Sequence, residues 1–347
     1  MTTTAPRYNA LWSRPGLTLA GTGAVERFDP GTGPTRYERA LQFLTDSGRS
    51  LAFASFTFDP DERGSVVLIP DGHVEQFEHS PGSTGSGVIE VDDSERWPKM
   101  VREALLEIER GSVAKVVLSR RLRAVFESPI DQFEIARRLI ESQPGCNVFA
   151  VDGLVGASPE LLLGVDDTSA ISIPLAGSAI DGRPELGTDK NALEHKLAAD
   201  SVERAFRSVG LEFSRNEPET VEVGDLRHLG TRFEAPIPGG FGFHDILGNL
   251  HPTAAVAGTP TKAAVEIIGE MEETSRGRYS GPVGWFDHHG RGEFAVALRC
   301  GLVEGSTVLL HSGAGIVEGS TPDGELEETV WKLRPMLDAL GLDTSEI

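Results

Sequence analysis

Apolar residues recur along most of this chain with the spacing of amphipathic helices or of strands. From Trp97 to Arg110 the apolar residues Val101, Leu105 and Ile108 are spaced by four and three, and Gly111 stands where a helix would end. The same pattern predicts helices over Phe133 to Ser142, Thr188 to Val209 and Thr261 to Glu273, and a last one beginning at Thr321-Pro322. In the long helix from Thr188, the residues predicted to face inward are Leu193, Leu197, Val202, Phe206 and Val209.

Shorter runs of apolar and β-branched residues predict strands between these helices. Two runs, LAFASFTF and SVVLI, lie within Ser50 to Pro70 and are separated by the turn-like DPDERG. The other predicted strands are Val113 to Phe126, Asn147 to Asp152, Leu161 to Val165, Glu293 to Val303 and Thr307 to His311. Because strands and helices mix without strict alternation, we expect an α+β fold with sizeable antiparallel sheets.

The chain has no internal repeat and no long linker, so we expect one domain over residues 1–347. The stretch Ser80 to Gly87 (SPGSTGSG) predicts a loop after the first quarter. Apolar residues make up 39% of the chain, enough for a substantial core. Since no apolar run approaches the ~20 residues of a membrane span and the N-terminus lacks a signal-peptide pattern, we expect a soluble cytoplasmic protein.

The balance of charge is strongly acidic, with 32 basic against 53 acidic residues and a net charge of −21. This disfavours nucleic acids and anionic membranes as partners, because both would be repelled. An anionic substrate would require a few cations gathered in one pocket. The two cysteines, Cys146 and Cys300, cannot form a cysteine-type zinc site.

The last helix carries the most informative polar residues. Glu325, Glu328 and Lys332 are spaced by three and four, so they share one helical face. Two carboxylates on one face suit Mg²⁺, which takes one or two protein carboxylates and completes its shell with water and substrate. Glu194, beside the apolar stripe of the Thr188 helix, is a further candidate ligand. The alternatives are a solvated face with a Glu–Lys pair and an ordinary surface glutamate.

Lys115 and Glu160 are candidates for acid–base chemistry. Lys115 lies in VAKVVLSR, where valines on both sides would desolvate it, lower its pKa and make a neutral amine available as a base. The alternative is a lysine at a strand end whose ammonium reaches water. Glu160 stands before a buried strand, where a raised pKa would suit a general acid, although ordinary turn glutamates are commoner.

Two glycine-containing segments, PLAGS (Pro174–Ser178) and GAGI (Gly313–Ile316), are candidate turns that bind an anion through backbone N–H groups. Glycine that only marks a turn is the alternative. Arg299, within the apolar run EFAVALRCGLV, calls for a carboxylate from the protein or from a ligand. Phosphate-loop, dinucleotide-binding and HExxH motifs do not occur in the sequence.

The order of these segments resembles that of the chorismate-binding family, which includes isochorismate, salicylate, aminodeoxychorismate and anthranilate synthases. The resemblance covers residues 97 to 337. It rests on KVVLSR, GASPELL, PLAGS, LEH, HLGT, LHPTAAVAGTP, RGRYSGPVGW, the Arg299 run, SGAGIVEGSTPDGELEET and Lys332. The resemblance implies a single α/β domain of two large, mostly antiparallel packed sheets with helices outside. It also implies Mg²⁺ as cofactor, chorismate as substrate, and a monomer.

Residue roles follow from the resemblance position by position. Glu194 and Glu328 match the metal ligands, with Glu325 close by, and Arg299 matches the arginine that holds the enolpyruvyl carboxylate, assisted by the backbone near Gly315. The positions expected to contact substrate are Gly177, Ser178, His228, Ala255, Tyr279, Arg299, Gly313, Gly315 and Lys332.

Within the family, the resemblance favours isochorismate synthase. A lysine at the position of Lys115 is associated with activating water for attack at ring carbon C2, and Glu160 would protonate the departing C4 hydroxyl. The segment LHPTAAVAG resembles HPTPAV-x-G of isochorismate synthases, with Ala254 for proline and with Ala255 where salicylate and anthranilate synthases carry threonine. Asn191 stands where salicylate-type members have another acid.

Three alternatives remain open at this point. Salicylate synthase shares Lys115, Glu160 and the metal residues, and differs at the position of Ala255. Aminodeoxychorismate synthase needs a partner that supplies ammonia. A catalytically silent family member would act as a binding subunit.

Overall fold

A computed structural model describes residues 8–91, 95–180, 188–223 and 226–343, with the backbone alone at positions 91, 178, 180 and 223. Within those ranges the helices are α1 (Arg36–Ser47), α2 (Trp97–Glu109), α3 (Gln132–Ser142), α4 (Asp189–Ser208), α5 (Phe243–Leu250), α6 (Thr261–Glu272) and α7 (Pro322–Leu340). No helix in these ranges is long and apolar enough to cross a membrane.

The strands follow in chain order. The first ten are β1 (Tyr8–Arg14), β2 (Leu17–Phe28), β3 (Leu51–Ser55), β4 (Val66–Val74), β5 (Gly87–Val91), β6 (Lys115–Phe126), β7 (Asn147–Val151), β8 (Leu154–Ser158), β9 (Leu161–Val165) and β10 (Ser169–Ile173). The others are β11 (Leu175–Ile180), β12 (Ser214–Arg215), β13 (Glu219–Val223), β14 (Leu226–Gly230), β15 (Phe233–Pro236), β16 (Gly258–Thr259), β17 (Pro282–Asp287), β18 (Gly292–Val296), β19 (Cys300–Glu304) and β20 (Thr307–Ile316).

The predicted α+β class with large antiparallel sheets is confirmed. Hydrogen bonds join seventeen of the described strands into one system, and β11, β14 and β13 form a separate three-stranded sheet. Strands of the first 91 residues belong to the large system, since β1 pairs with β7 and β3 pairs with β17. All these pairings are antiparallel.

Two helices and two paired strands surround the region where the candidate residues lie. Strands β6 and β20 pair along ten positions, from Val125 opposite Thr307 to Val116 opposite Ile316. Helix α7 packs against β20, and α4 packs against β11. The faces of α4 and α7 that carry the candidate carboxylates are therefore turned toward one end of the β6–β20 pair.

The inner face of α4 differs from the prediction. Leu193 is 37% exposed, whereas its neighbours Glu194 and His195 are buried. These two polar residues find partners inside the protein, since His195 Nε2 lies 2.7 Å from Thr231 Oγ1 and Glu194 faces buried Lys115. A helix that lines a polar pocket turns carboxylates inward, which the hydrophobic stripe alone does not reveal.

The predicted strand from Glu293 to Val303 is wrong in its middle. It divides into β18 and β19, and Arg299 between them has a φ of 47°, in the left-handed region. The predicted strand Thr307 to His311 continues instead to Ile316. The candidate glycine turns also lie in strands: PLAGS contributes to β11, and GAGI is the regular end of β20.

Candidate active site

Most residues predicted to carry chemistry line one pocket. These are Lys115, Glu160, Gly177, Glu194, His228, Ala255, Tyr279, Arg299, Gly313, Gly315, Glu328 and Lys332. Glu325 lies beside this pocket rather than in its lining. The side chain of Ser178 falls outside the described residues.

Lys115 is the first residue of β6, and its backbone lies beside β16. Its Cα pairs with Thr259 of β16, and Ala114 N donates to Thr259 O at 2.7 Å. With 1% of its surface exposed, the side chain does not reach solvent, so the interpretation as a buried lysine is confirmed. Burial and the nearby Lys332 ammonium lower the pKa of Lys115, although Glu194, 4.0 Å from its Nζ, acts in the opposite direction.

Glu160 lies in the short connection between β8 and β9 and is 2% exposed. Its backbone O accepts from Val296 N at 3.2 Å, which fixes it against the end of β18. Within the described residues, Oε1 has no hydrogen-bond partner. Burial raises the pKa of this carboxyl to about 8, so its protonated form predominates at neutral pH and it can donate a proton.

Glutamates from α4 and α7 meet two lysine ammonium groups. Lys190 Nζ lies 2.6 Å from Glu325 Oε1 and 3.4 Å from Glu194 Oε1, and Lys332 Nζ lies 2.7 Å from Glu328 Oε1. Burial alone would lower the pKa of Lys190, but Glu194 and Glu325 raise it above its ordinary value. Burial raises the pKa of Glu194. The carboxylates are therefore compensated by ammonium groups of the same two helices.

The carboxylates of α4 and α7 are the predicted ligands of Mg²⁺. In the part of the chain that the structure describes, no three His, Cys, Asp or Glu side chains are close enough to hold a metal ion as they stand. The donors nevertheless fit Mg²⁺, because they are carboxylate oxygens and because a cation, the Lys190 ammonium, already lies between Glu194 and Glu325. If Glu194 and Glu325 held a metal ion, it would take the place of the Lys190 ammonium, and Lys190 would have to move aside.

Arg299 is oriented by the three-stranded sheet. Its Nη2 lies 2.7 Å from His228 Nε2, and His228 Nδ1 lies 3.1 Å from Gly177 O on β11. Burial and the Arg299 charge keep the pKa of His228 well below its usual value, so neutral His228 accepts from Arg299 and donates to Gly177. Among the described residues Arg299 Nη1 has no partner and no carboxylate pairs with the guanidinium, which leaves a donor for a ligand.

Two glycines of β20 create the space in which these groups meet. A Cβ at Gly315 would lie 2.8 Å from Lys115 Cε and 3.0 Å from Glu194 Oε2. A Cβ at Gly313 would lie 3.0 Å from Tyr279 Oη, and Lys332 Nζ donates to Gly313 O at 2.9 Å. The GAGI segment therefore serves the site as a strand without side chains at these positions, where the sequence suggested an anion-binding turn.

Sequence reasoning missed Lys190 and His311. Lys190 is four residues before Glu194, so the helical spacing could have placed it on the face of the carboxylates. His311 lines the pocket next to Tyr279, and its place two residues before Gly313 puts it on the same face of β20. These cationic and polar groups lie beneath a surface whose overall charge is strongly negative.

The sequence of the chain is similar to those of known proteins. A family model described as "Chorismate binding enzyme" matches residues 72–341. The chain belongs to this family. The isochorismate synthase MenF of Bacillus subtilis is 38% identical over 264 residues, which cover 72% of this chain and 56% of that protein. The isochorismate synthase DhbC of the same organism is 32% identical over 344 residues, covering 89% of this chain and 85% of that protein.

A solved structure supports the same family. The crystal structure of DhbC from Bacillus anthracis matches with a TM-score of 0.87 and 27% identity, covering 98% of both chains. The present chain spans little more than half the length of the MenF relative. The family predicted from the motifs is thus confirmed, and the individual residue roles stay predictions.

Proposed function

We propose that this chain is an isochorismate synthase that converts chorismate to isochorismate with Mg²⁺. The observation that carries the proposal is one buried pocket holding both a desolvated amine, Lys115, and a carboxyl that is protonated at neutral pH, Glu160. A base and an acid in one pocket suit a reaction that adds one hydroxyl and expels another. The names of the MenF and DhbC relatives agree with this choice.

Lys115 would take a proton from water as the water oxygen bonds to ring carbon C2. The ring double bonds shift, the bond from C4 to its hydroxyl breaks, and Glu160 gives its proton to that hydroxyl, which leaves as water. One water enters and one water leaves, so the reaction is an isomerisation. Proton exchange with solvent then returns Lys115 and Glu160 to their starting states.

The substrate is a dicarboxylate, and the pocket offers cations for it. Arg299 Nη1, which lacks a partner among the described residues, is available for one carboxylate, since a guanidinium binds carboxylates through two parallel hydrogen bonds. The Tyr279 hydroxyl and the Lys332 ammonium both lie at Gly313 and would contact the bound ring or its substituents. Mg²⁺ held by Glu194 and Glu328, with Glu325 close by, would neutralise the other carboxylate.

Ala255 supports isochorismate as the final product. It lines the pocket with a methyl group, which supplies no hydroxyl at that position to assist loss of pyruvate. We further propose that the protein works as a monomer in the cytoplasm, as the family resemblance implies.

The test is to incubate purified protein with chorismate, with and without Mg²⁺, and to separate the products by chromatography. We expect isochorismate only when Mg²⁺ is present. Salicylate and pyruvate as main products would instead identify a salicylate synthase. Binding of chorismate without turnover in either condition would identify a silent binding subunit.

A further inference from the structure

Two aromatic rings form part of the wall between the active pocket and a second cavity. The rings of Tyr279 and His311 are stacked, with centroids 4.7 Å apart and planes inclined by 16°. Both residues are buried, and both line the active pocket as well as a second cavity of about 140 Å³, here called the rear cavity. The far side of this rear cavity includes Leu154, Cys300, Leu302 and Leu309.

Strand β20 determines where the tyrosine can lie. His311 and Gly313 are two residues apart, so they face the same side of the strand. The Tyr279 ring lies against the imidazole of His311, and its hydroxyl reaches over Gly313, where any Cβ would come within 3.0 Å of it. The imidazole of His311 and the absence of a side chain at Gly313 together therefore fit one orientation of the Tyr279 side chain.

The surroundings of His311 indicate that the site uses the flat shape of its ring, and not its charge or a hydrogen bond from Nδ1. Its Nδ1 is buried and has no hydrogen-bond partner among the described residues. Burial, together with the charges of Arg276 and Arg121, lowers the pKa of His311 to about 3, so the ring is neutral across the working range of pH. A neutral ring offers a flat surface for offset stacking, and a phenyl ring offers the same surface.

We propose that His311 is a positioning residue. By stacking on the Tyr279 ring, it keeps that ring in the orientation in which the hydroxyl lies over Gly313 and faces the substrate. The effect on catalysis rests on the proposed function, because it requires Tyr279 to contact bound chorismate. The positioning itself does not. Without the imidazole, the Tyr279 ring can rotate toward the rear cavity. Its hydroxyl then moves away from Gly313, whose backbone O accepts a hydrogen bond from Lys332 Nζ.

The first measurement of the test does not depend on activity. The chain has three tyrosines, so fluorotyrosine incorporated biosynthetically gives few fluorine resonances, and Tyr279→Phe assigns the one from Tyr279. We expect His311→Ala to shift and broaden that resonance and His311→Phe to keep it narrow. Leu309→Ala is the matched control, since Leu309 lines the rear cavity and is absent from the lining of the active pocket, and it should leave the resonance narrow. An unchanged Tyr279 resonance in His311→Ala would overturn the proposal.

The second measurement is the steady-state kinetics of isochorismate formation. In His311→Ala we expect KM to rise about tenfold with kcat little changed, the loss of roughly one hydrogen bond to a charged group. His311→Phe should restore KM, and His311→Ala should have no further effect in a Tyr279→Phe background. If His311→Phe is impaired as much as His311→Ala, the imidazole acts through its polarity and the proposal is wrong. Wild-type protein without turnover would contradict the proposed function alone, because the fluorine spectra still decide on His311.

Discussion

On the α4–α7 side of the pocket (Glu194, Glu325, Glu328, Lys190 and Lys332), each carboxylate lies near an ammonium group. On the Glu160–Arg299 side (Glu160, Arg299 and His228), Glu160 Oε1 and Arg299 Nη1 have no partner among the described residues, and His228 is neutral. Burying a charged group without a partner is costly, whereas a compensated cluster is tolerated. On the α4–α7 side the charges are therefore already balanced by the protein, whereas on the Glu160–Arg299 side a ligand would supply hydrogen-bond partners.

This difference suggests a division of roles. The α4–α7 side can exchange one cation for another, because its carboxylates are already arranged around ammonium groups. The Glu160–Arg299 side provides a proton donor and a guanidinium N–H that has no partner in the described part of the chain and is therefore open to a bound molecule. Lys115 lies where the sides meet, 4.0 Å from Glu194 and within the electrostatic influence of Glu160.

Removing the amine at this meeting point should have the largest effect. In Lys115→Ala we expect kcat to fall by about 10² to 10⁴, the usual contribution of a general base, while chorismate binding is largely retained. Lys99→Ala is the control, because Lys99 is an exposed lysine on α2. Steady-state kinetics combined with calorimetric binding separates the two effects. Near-normal turnover of Lys115→Ala would exclude the base role.

The next largest effect concerns the protonated carboxyl of the Glu160–Arg299 side. Its pKa is raised from 4.5 to about 8, so the form able to donate a proton is lost as the pH rises through about 8. We expect kcat/KM of the wild type to decline above that pH. Glu160→Gln should lower kcat by roughly 10² or more and remove the decline. A pH–rate profile that keeps the same alkaline limb in Glu160→Gln would assign that limb to another group.

A smaller effect is expected from the guanidinium of the same side. Arg299→Met should raise KM by about tenfold to a hundredfold, because it removes charge-assisted hydrogen bonds to a carboxylate. The matched control is Arg278→Met, since Arg278 is also largely buried but donates to the backbone O atoms of Val151 and Asp152. Equal changes of KM in both variants would indicate a general loss of structure, and melting temperatures report on that directly.

The smallest effect is expected on the compensated side. In Lys190→Met the carboxylates of Glu194 and Glu325 lose an ammonium neighbour, so the metal-free protein should melt at a lower temperature and recover stability when Mg²⁺ is added. Lys196→Met removes a lysine with the same spacing to Asp200 on the exposed face of α4, and it should show neither change. If the two variants respond alike to Mg²⁺, the cation-exchange role of this side is wrong.

The helices were largely predictable because their signals are local. Helix α7 begins at Pro322 after the cap Thr321, whose side chain accepts from Gly324 N, as the Thr-Pro pair indicates. The break before Arg299 was not predictable, because the run EFAVALRCGLV is apolar throughout. It arises from tertiary hydrogen bonds. Ala297 N donates to Gly281 O, and Ala297 O accepts from Ser280 N. Arg299 O accepts from Ala157 N.

The limits of site prediction are clearest for two lysines of α4. Lys190 and Glu194 have the same spacing as Lys196 and Asp200, so both pairs indicate ordinary surface ion pairs. Of these two pairs, only Lys190–Glu194 contacts α7, because Lys190 also donates to Glu325. These two residues are 135 positions apart in the sequence, so the contact cannot be predicted from local spacing. The burial of Lys115 was predictable because its neighbours in sequence, Val113, Val116 and Val117, indicate a buried strand, and all three are buried in the fold.

The placement of cations deep in an acidic protein has a consequence for how a substrate arrives. A dianion approaching a chain of net charge −21 is repelled at long range and attracted only once it enters the mouth of the pocket. Added salt screens interactions beyond ~10 Å at 0.1 M but acts much less on buried groups. The association rate of a dianionic substrate should therefore increase as ionic strength rises from very low values. Enzymes whose net charge is opposite to that of their ligand show the reverse dependence.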